Sequence, residues 1–261
     1  KAFTSGALAI LVDEGKIKWD DRVVKYLPDF KMYDDYVTRE FTIRDLLTHR
    51  SGLGLGAGDL MIWPDGSDFK AQDIIHNLRY LKPVSSFRTK YDYDNLLYIV
   101  AGEVVARASG ITYDEFIETR IFKPLSMSKT AASWYRLKDK TNVIDGHAPY
   151  QGKLLPVGLS FGEIANAAGG VYSSVTDMSK WVITMINAGK YGEKLDQQLF
   201  SPAVHRELWT PQTIIAGGNP SSFSSYGLGW FLSNVNGKFQ ATHTGGLSGI
   251  VTQVTILPEL K

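Results

Sequence analysis

Residues 1 to 13 place Phe3, Ala7, Leu8, Leu11 and Val12 at the spacing of an apolar helix face, and Gly15 follows as the stop. A second face of this kind runs through "NLLYIVAGEVVARA" at 95–108 and closes at Gly110. "TYDEFIETRIF" predicts a third helix, with Thr112 as N-cap and Glu115 completing a capping box. "SVTDMSKWVITMINAG" predicts a fourth, ending at Gly189. Shorter helices are expected from Thr42 in "FTIRDLLTHRSGL" and in "SDFKAQDIIHNLRYL", where Ser67 is the N-cap. Between these, "WDDRVVKYLPDF" reads as irregular, and the glycine-rich stretch to Gly66 and most of 141–170 read as loop.

Near the C-terminus the period changes. "YGLGWFLSNVNGKFQATHTGG" alternates like an antiparallel hairpin turning at Asn236-Gly237, and "IVTQVTILPEL" supplies another strand. A helix-rich first two-thirds followed by strands predicts an α+β fold, an antiparallel sheet flanked by helices. Two or three strands make a thin platform for so many helices, so the sheet reads as incomplete in this chain.

Composition adds bounds rather than detail. The chain has 261 residues, 44% hydrophobic and 21% charged, which is ordinary globular composition. Its 28 basic and 27 acidic side chains leave a formal charge of +1, and no nucleic-acid motif accompanies them. The longest apolar runs, "ALAILV" and "LLYIVAGEVVA", are too short to span a bilayer. Cysteine is absent, which removes disulfides, zinc thiolate sites and a cysteine nucleophile together. The five histidines show no paired ligand spacing, so neither a metal nor another cofactor is expected.

Three polar features stand out against this background. Lys1 heads a helix, "YDYDN" at 91 to 95 presents polar side chains just before another, and "HTGG" at 243 to 246 ends a strand with two glycines. Glycines there let a ligand approach the backbone closely. Each is weak alone, since a tyrosine-containing turn or a strand end accounts for it.

Together with their flanks they resemble the serine β-lactamase-related family, which spans class C β-lactamases, penicillin-binding D-Ala-D-Ala peptidases and related esterases. The matching blocks are "KAFTSGALAILVDEGKIKWDDRVVKYLPDF", "TIRDLLTHRSGL", "YDYDNLLYIVAGEVV", "FKPLSM", "AAGGVYSSVTDMSKW", "YGLGWF" and "HTGG", so the resemblance runs over nearly the whole chain. It implies a β-lactamase/transpeptidase-like fold over residues 1–261 as a single catalytic domain that continues beyond both ends. A helical lobe would occupy roughly 40–170, and a sheet-side lobe 1–39 and 171–261.

The resemblance also implies roles. The family's first motif is S-x-x-K, in which a separation of three puts serine and lysine on one helix face. Lys1 matches that lysine by its flank, and the nucleophilic serine is expected three residues before it. Burial near Tyr93 would lower the pKa of Lys1 and free its amine. Tyr93 would take or relay the proton, as base in acylation and acid to the leaving group. Asn95 would bond a substrate amide or the Lys1 ammonium. His243, with Thr244 and Gly245, occupies the family's K-T-G motif on the strand lining the pocket, and Gly246 would offer a backbone N–H to the oxyanion. Histidine in place of lysine is a weaker, pH-dependent cation, which points away from penicillins and toward esterase and peptidase-like members. Asp94 stands where serine is common; it is either a charge beside the site that disfavours anionic substrates or a solvated turn residue.

Other matches are set aside. "SDFK" (Ser67 to Lys70) lies too close to Tyr93, and "SMSK" (Ser126 to Lys129) follows it in the wrong order. "GLSFG" at 158 to 162 satisfies G-x-S-x-G, with Asp177 and His205 or His243 available, yet the strand-turn-helix context of a nucleophile elbow is missing. "GLGLGAGD" follows a helix rather than a strand, which excludes a dinucleotide reading. His49 reads as a buried structural histidine bonding backbone, and "SSFRTKYDYDN" as a solvated cationic loop.

The expected function is therefore a serine hydrolase working through an acyl-enzyme on an ester or amide, a small acyl ester or a peptide ending in a D-amino acid. The competing reading is a catalytically silent penicillin-binding-like homologue that binds peptide or cell-wall ligands. The expected partner is a small-molecule or peptide substrate, and the family implies a bacterial protein of the periplasm or cell exterior.

Overall fold

Helix α1 (Ala2–Asp13) buries every residue from Phe3 to Leu11. The spacing predicts one apolar face, but Ala-Leu-Ala-Ile-Leu is apolar all round, and such a helix belongs inside a core. This is described by a computed structural model covering residues 1–64, 66, 68–159, 162–217 and 223–260. Ser67 and Ser160 lie outside the described residues.

Short helices α2 (Asp35–Glu40) and α3 (Ile43–Leu46) follow. Helix α3 starts where expected because Thr42 and Asp45 form a reciprocal capping box. Helix α4 is Ala71–Asn77, a later start than the sequence predicts, with the Asp73 carboxylate accepting the Lys70 N–H at 2.8 Å. Helix α5 (Leu96–Ser109) is closed by Gly110 at φ 80°. Helix α6 (Tyr113–Ile117) is capped by Thr112, whose hydroxyl accepts the Glu115 N–H, and runs into a wider π-type turn at Glu118–Phe122. Helices α7 (Asn166–Gly169), α8 (Val175–Ile186) and α9 (Pro202–Leu208) complete this part. Helix α1 lies against α5, α6, α7 and α9. Among the described residues no single helix is long and apolar enough to cross a membrane.

Two close approaches fix this packing. A Cβ on Gly102 of α5 would sit 2.6 Å from the Cβ of Ala167 on α7, so only glycine lets those helices meet. The buried Thr4 hydroxyl donates to the Ala167 carbonyl at 2.6 Å and is bonded to Tyr113 Oη at 2.7 Å. Helix α7 is thus tied to both α5 and α1.

The sheet is larger than the sequence suggests. Strands β5 (Thr213–Ile214), β6 (Ser224–Tyr226), β7 (Phe231–Val235), β8 (Lys238–Leu247) and β9 (Ile250–Ile256) form one antiparallel sheet in sequential order. The β7–β8 turn at Asn236-Gly237 has φ 51° and 77°, the two left-handed residues that a tight hairpin requires. Two further pairs lie outside it, β1 (Gly146–Tyr150) with β2 (Lys153–Val157) and β3 (Lys190–Tyr191) with β4 (Gln197–Gln198). The β1–β2 hairpin corrects the loop expected over 141–170. Its first strand leans on the β8–β9 turn, where the His147 N–H donates to the Gly249 carbonyl at 3.0 Å.

The segment leading to Tyr93 is also anchored. Asp45, fully buried, accepts from Arg88 Nη2 at 2.6 Å and Arg50 Nε at 3.1 Å. Arg88 therefore corrects the solvated-loop reading of "SSFRTKYDYDN": its charge is spent on a buried carboxylate that also starts α3.

Candidate active site

Lys1 sits at the head of α1, and its side chain finds four neighbours from two other parts of the chain. Its Nζ donates to Asn95 Oδ1 at 2.9 Å and to the Ala168 carbonyl of α7 at 2.9 Å. It also lies 5.0 Å from the ring centroids of both Tyr93 and Tyr98. Burial pushes the amine down to about 8, opposed by the carboxylates of Asp94 and Asp59. An amine so placed is partly free near neutral pH, as a general base needs.

Tyr93 moves the other way. Burial, then the charges of Asp94 and Asp59, push its phenol up to about 12. Of the two roles expected for Tyr93, this environment suits the proton donor, because the phenol stays protonated at neutral pH.

Asp94 is neither a solvated turn residue nor exposed to a ligand. It is buried, and its Oδ1 accepts the Leu97 N–H at 3.0 Å, which caps the start of α5. Its backbone N–H donates to His49 Nδ1 at 3.3 Å. His49 is buried as expected, bonded to backbone, with its ring among those of Tyr91, Tyr93, Tyr98 and Tyr226. Burial lowers its pKa, so it is a neutral spacer.

His243 lies on β8, within reach of this cluster through Tyr226. Its Nε2 is 3.0 Å from Tyr226 Oη and its Nδ1 is 2.6 Å from the Thr244 carbonyl. Only an Nδ1–H tautomer suits the carbonyl, so the Tyr226 hydroxyl donates to Nε2. Burial first of all pushes His243 down to about 3, so it carries no charge at neutral pH. The weak cation expected at the head of "HTGG" is a neutral group with both nitrogens in use.

Beyond Thr242, strand β8 runs past the end of β7, which pairs only as far as Phe231 with Thr242. Among the described residues, His243 to Leu247 therefore present an edge with no strand partner on the β7 side. The two glycines differ there. A Cβ on Gly245 would meet Thr252 Oγ1 of β9 at 2.5 Å, whereas a Cβ on Gly246 would meet nothing within 4 Å. Gly245 is small for its sheet neighbour, and Gly246 faces open space.

The structure thus brings Lys1, Tyr93 and Asn95 into one cluster, and joins His243 to it through Tyr226 and His49. Thr244, Gly245 and Gly246 continue along the exposed edge. Two participants were not legible. The Ala168 carbonyl has no side-chain signature, although it falls in the "AAGGVYSS" block. Asp59 lies in a glycine-rich loop, and burial raises the pKa of its carboxyl, whose charge lies near Lys1.

A family model described as Beta-lactamase matches residues 1–261. Among curated relatives, unguisins hydrolase ungD′ of Aspergillus campestris is 28% identical over 100% of this chain and 49% of its own length. The D-alanyl-D-alanine-carboxypeptidase/endopeptidase AmpH of Escherichia coli is 24% identical over 99% of this chain and 66% of its own. Relatives are therefore both fungal and bacterial, and the chain spans about half the length of the first of them. The octameric penicillin-binding protein homologue from Pyrococcus abyssi superposes with a TM-score of 0.82 at 24% identity, over 99% of this chain and 57% of that one. A D-stereospecific amidohydrolase from Streptomyces sp. gives 0.82 at 22% identity, over 99% and 76%. These likenesses establish a β-lactamase/transpeptidase-like fold.

Proposed function

The chain belongs to the beta-lactamase family, and from that premise we propose that it carries the base, proton donor and oxyanion edge of a serine hydrolase that acylates itself on an ester or amide. The observation that carries this reading is the Lys1 amine, 2.9 Å from Asn95 Oδ1, 5.0 Å from the Tyr93 ring and lowered to about 8.

In this reading the nucleophile is a serine three residues before Lys1, one helical turn away on the same face. Its Oγ attacks the acyl carbon while its proton passes to Lys1 Nζ. The tetrahedral oxyanion is held by backbone N–H groups, that of Gly246 on the β8 edge and that of the serine itself. Collapse expels the alcohol or amine, which takes a proton from Tyr93 Oη as Lys1 returns its own to the phenolate. Water then repeats the sequence on the acyl-enzyme. Asn95 keeps the amine in place throughout.

The charges favour a substrate without a carboxylate near the scissile bond. His243 is neutral, while Asp94 and Asp59 lie beside Lys1. Relatives named as a hydrolase of unguisins and as a D-alanyl-D-alanine-carboxypeptidase/endopeptidase support hydrolysis as the reaction class.

A fluorophosphonate probe applied to the intact gene product tests the reading. We expect one covalent adduct, located by mass spectrometry three residues before Lys1, together with turnover of a p-nitrophenyl ester. An unlabelled protein that turns over no ester would overturn it and leave a binding-only homologue.

A further inference from the structure

His49 has a left-handed backbone, at φ 50°, a conformation that histidine adopts more readily than most side chains. It sits in a segment whose carbonyls are engaged by other parts of the chain. The Leu47 carbonyl accepts from Tyr98 Oη at 2.8 Å, and the Thr48 carbonyl from Thr213 Oγ1 of β5 at 2.7 Å. The His49 carbonyl accepts the Asp92 N–H and the Arg50 carbonyl the Arg88 N–H, both at 2.7 Å. Residues 47 to 50 are thus fixed between α5, the sheet and the loop that leads to Tyr93.

From this seat His49 holds the chain on both sides of Tyr93. Its carbonyl takes the Asp92 N–H at 2.7 Å, and its Nδ1 takes the Asp94 N–H at 3.3 Å. Between these two bonds its ring lies against that of Tyr93, with centroids 4.3 Å apart and planes tilted by 34°. A backbone N–H can only donate, so Nδ1 is the bare nitrogen and the ring proton sits on Nε2. Asp94 Oδ2 stands 3.7 Å from Nδ1, beyond hydrogen-bond distance. Nε2 is buried and has no hydrogen-bond partner among the described residues. An orphaned donor is costly, and this one follows from committing Nδ1 to the Asp94 N–H.

A neutral imidazole meets two demands at once here. A phenyl ring would fill the space among Tyr91, Tyr93, Tyr98 and Tyr226 but has no acceptor. An asparagine would place Oδ1 where Nδ1 is and tolerates the left-handed backbone, but it brings no ring. We propose that His49 is a positioning residue for Tyr93, gripping the chain before and after it through one carbonyl and one ring nitrogen while its ring backs the phenol. The inference rests on Tyr93 being the proton donor of the proposed reaction. Loss of the grip lets the phenol drift from the leaving group and leaves Lys1 and the nucleophile in place.

The test uses the intact gene product and two esters of one acid, p-nitrophenyl and ethyl. The p-nitrophenolate departs as a stable anion, whereas the ethoxide needs a proton as it leaves. In His49→Phe, kcat/KM for the ethyl ester should fall about tenfold or more, while the p-nitrophenyl value stays within about threefold of the parent. His49→Asn restores the acceptor and should bring the ethyl ester back to within about threefold. Added to Tyr93→Phe, the His49→Phe change should cost less than about twofold further, because the group it positions is already gone. Equal losses on both esters, or a full additive loss in the double variant, overturn the proposal.

Two readings need no turnover. Nitrogen-15 NMR of the parent should find the His49 proton on Nε2 and Nδ1 bare. Amide exchange at Asp94 should quicken about tenfold or more in His49→Phe and stay slow in His49→Asn. A proton on Nδ1 overturns the proposal even if His49→Phe does not fold. Absence of ester turnover by the parent counts against the acyl-enzyme reading, and the tautomer and the Asp94 exchange then decide the grip of His49 alone.

Discussion

Lys1 Nζ and Asn95 Oδ1 are 2.9 Å apart although 94 positions separate them in the chain. The contact joins the head of the deeply buried helix α1 to the start of α5, and it exists only when both are seated. A base that is held in this way gains its reactivity from the fold: burial removes solvent, and two carboxylates limit how far the amine gives up its proton.

The first prediction concerns that amine. Lys1→Met removes the proposed base, and the second-order rate of fluorophosphonate labelling at pH 8 should fall by about 10²- to 10⁴-fold. Lys1→Arg should be equally slow, because a guanidinium cannot be deprotonated in this range. A Lys1→Arg protein labelled at the parent rate would show that the base lies elsewhere.

Tyr93 should leave a different mark. With its phenol near 12, the parent pH–rate profile should rise through about 8 and show no fall from tyrosine ionisation below pH 11. Tyr93→Phe should lower kcat for a poor leaving group by about 10²-fold while the limb near 8 stays in place. Displacement of that limb would mean that Tyr93, and not Lys1, titrates there.

Gly246→Ala separates folding from chemistry. The added methyl meets nothing within 4 Å, so unfolding in urea should change by less than about 0.5 kcal/mol. Ester turnover should nonetheless drop at least about tenfold if the acyl group lies along this edge. Parent-like turnover would move the oxyanion site off Gly246.

Gly102→Ala should do the reverse. Its methyl meets Ala167 at 2.6 Å and drives α5 from α7, costing about 1–3 kcal/mol of stability by urea denaturation. Because α7 presents the Ala168 carbonyl to Lys1, turnover should fall as well.

His205 supplies a pH dependence of stability. It is buried beside Phe200 and Trp209, and burial pushes it down to about 4. The unfolded chain binds this proton near 6.5, so the folded state is favoured fully above that pH and loses ground as pH falls toward 4. The loss amounts to about 3 kcal/mol in full, with about 2 kcal/mol gone by pH 5. Unfolding curves at pH 7 and pH 5 measure it, and His205→Asn should flatten the difference by that amount.

The elements that the sequence revealed are those with local causes. Helix α3 is marked by Thr42 and Asp45, α5 by its apolar run and Gly110, and the β7–β8 hairpin by Asn236-Gly237. The missed ones owe their form to distant partners. Strands β1 and β2 are largely exposed, carry Pro149 and Pro156, and so lack the alternation that marks a half-buried strand. Strands β5 and β6 have two and three residues, too few for any period to register. Within the site, Lys1, Tyr93 and Asn95 were legible because residue type and flanking blocks identify them together. Asp59 was hidden, since a carboxylate in a glycine-rich loop gives no local sign that its charge will lie near Lys1.

The β1–β2 hairpin rests on the Ser248-Gly249 turn, where glycines at 146 and 249 let backbone lie on backbone. That turn directly follows the strand carrying His243 and Gly246. The hairpin's outer surface, with Tyr150, Leu154 and Leu155 exposed, has no part in the proton path. The length and polarity of this hairpin can therefore change while Lys1, Tyr93 and Asn95 keep their places.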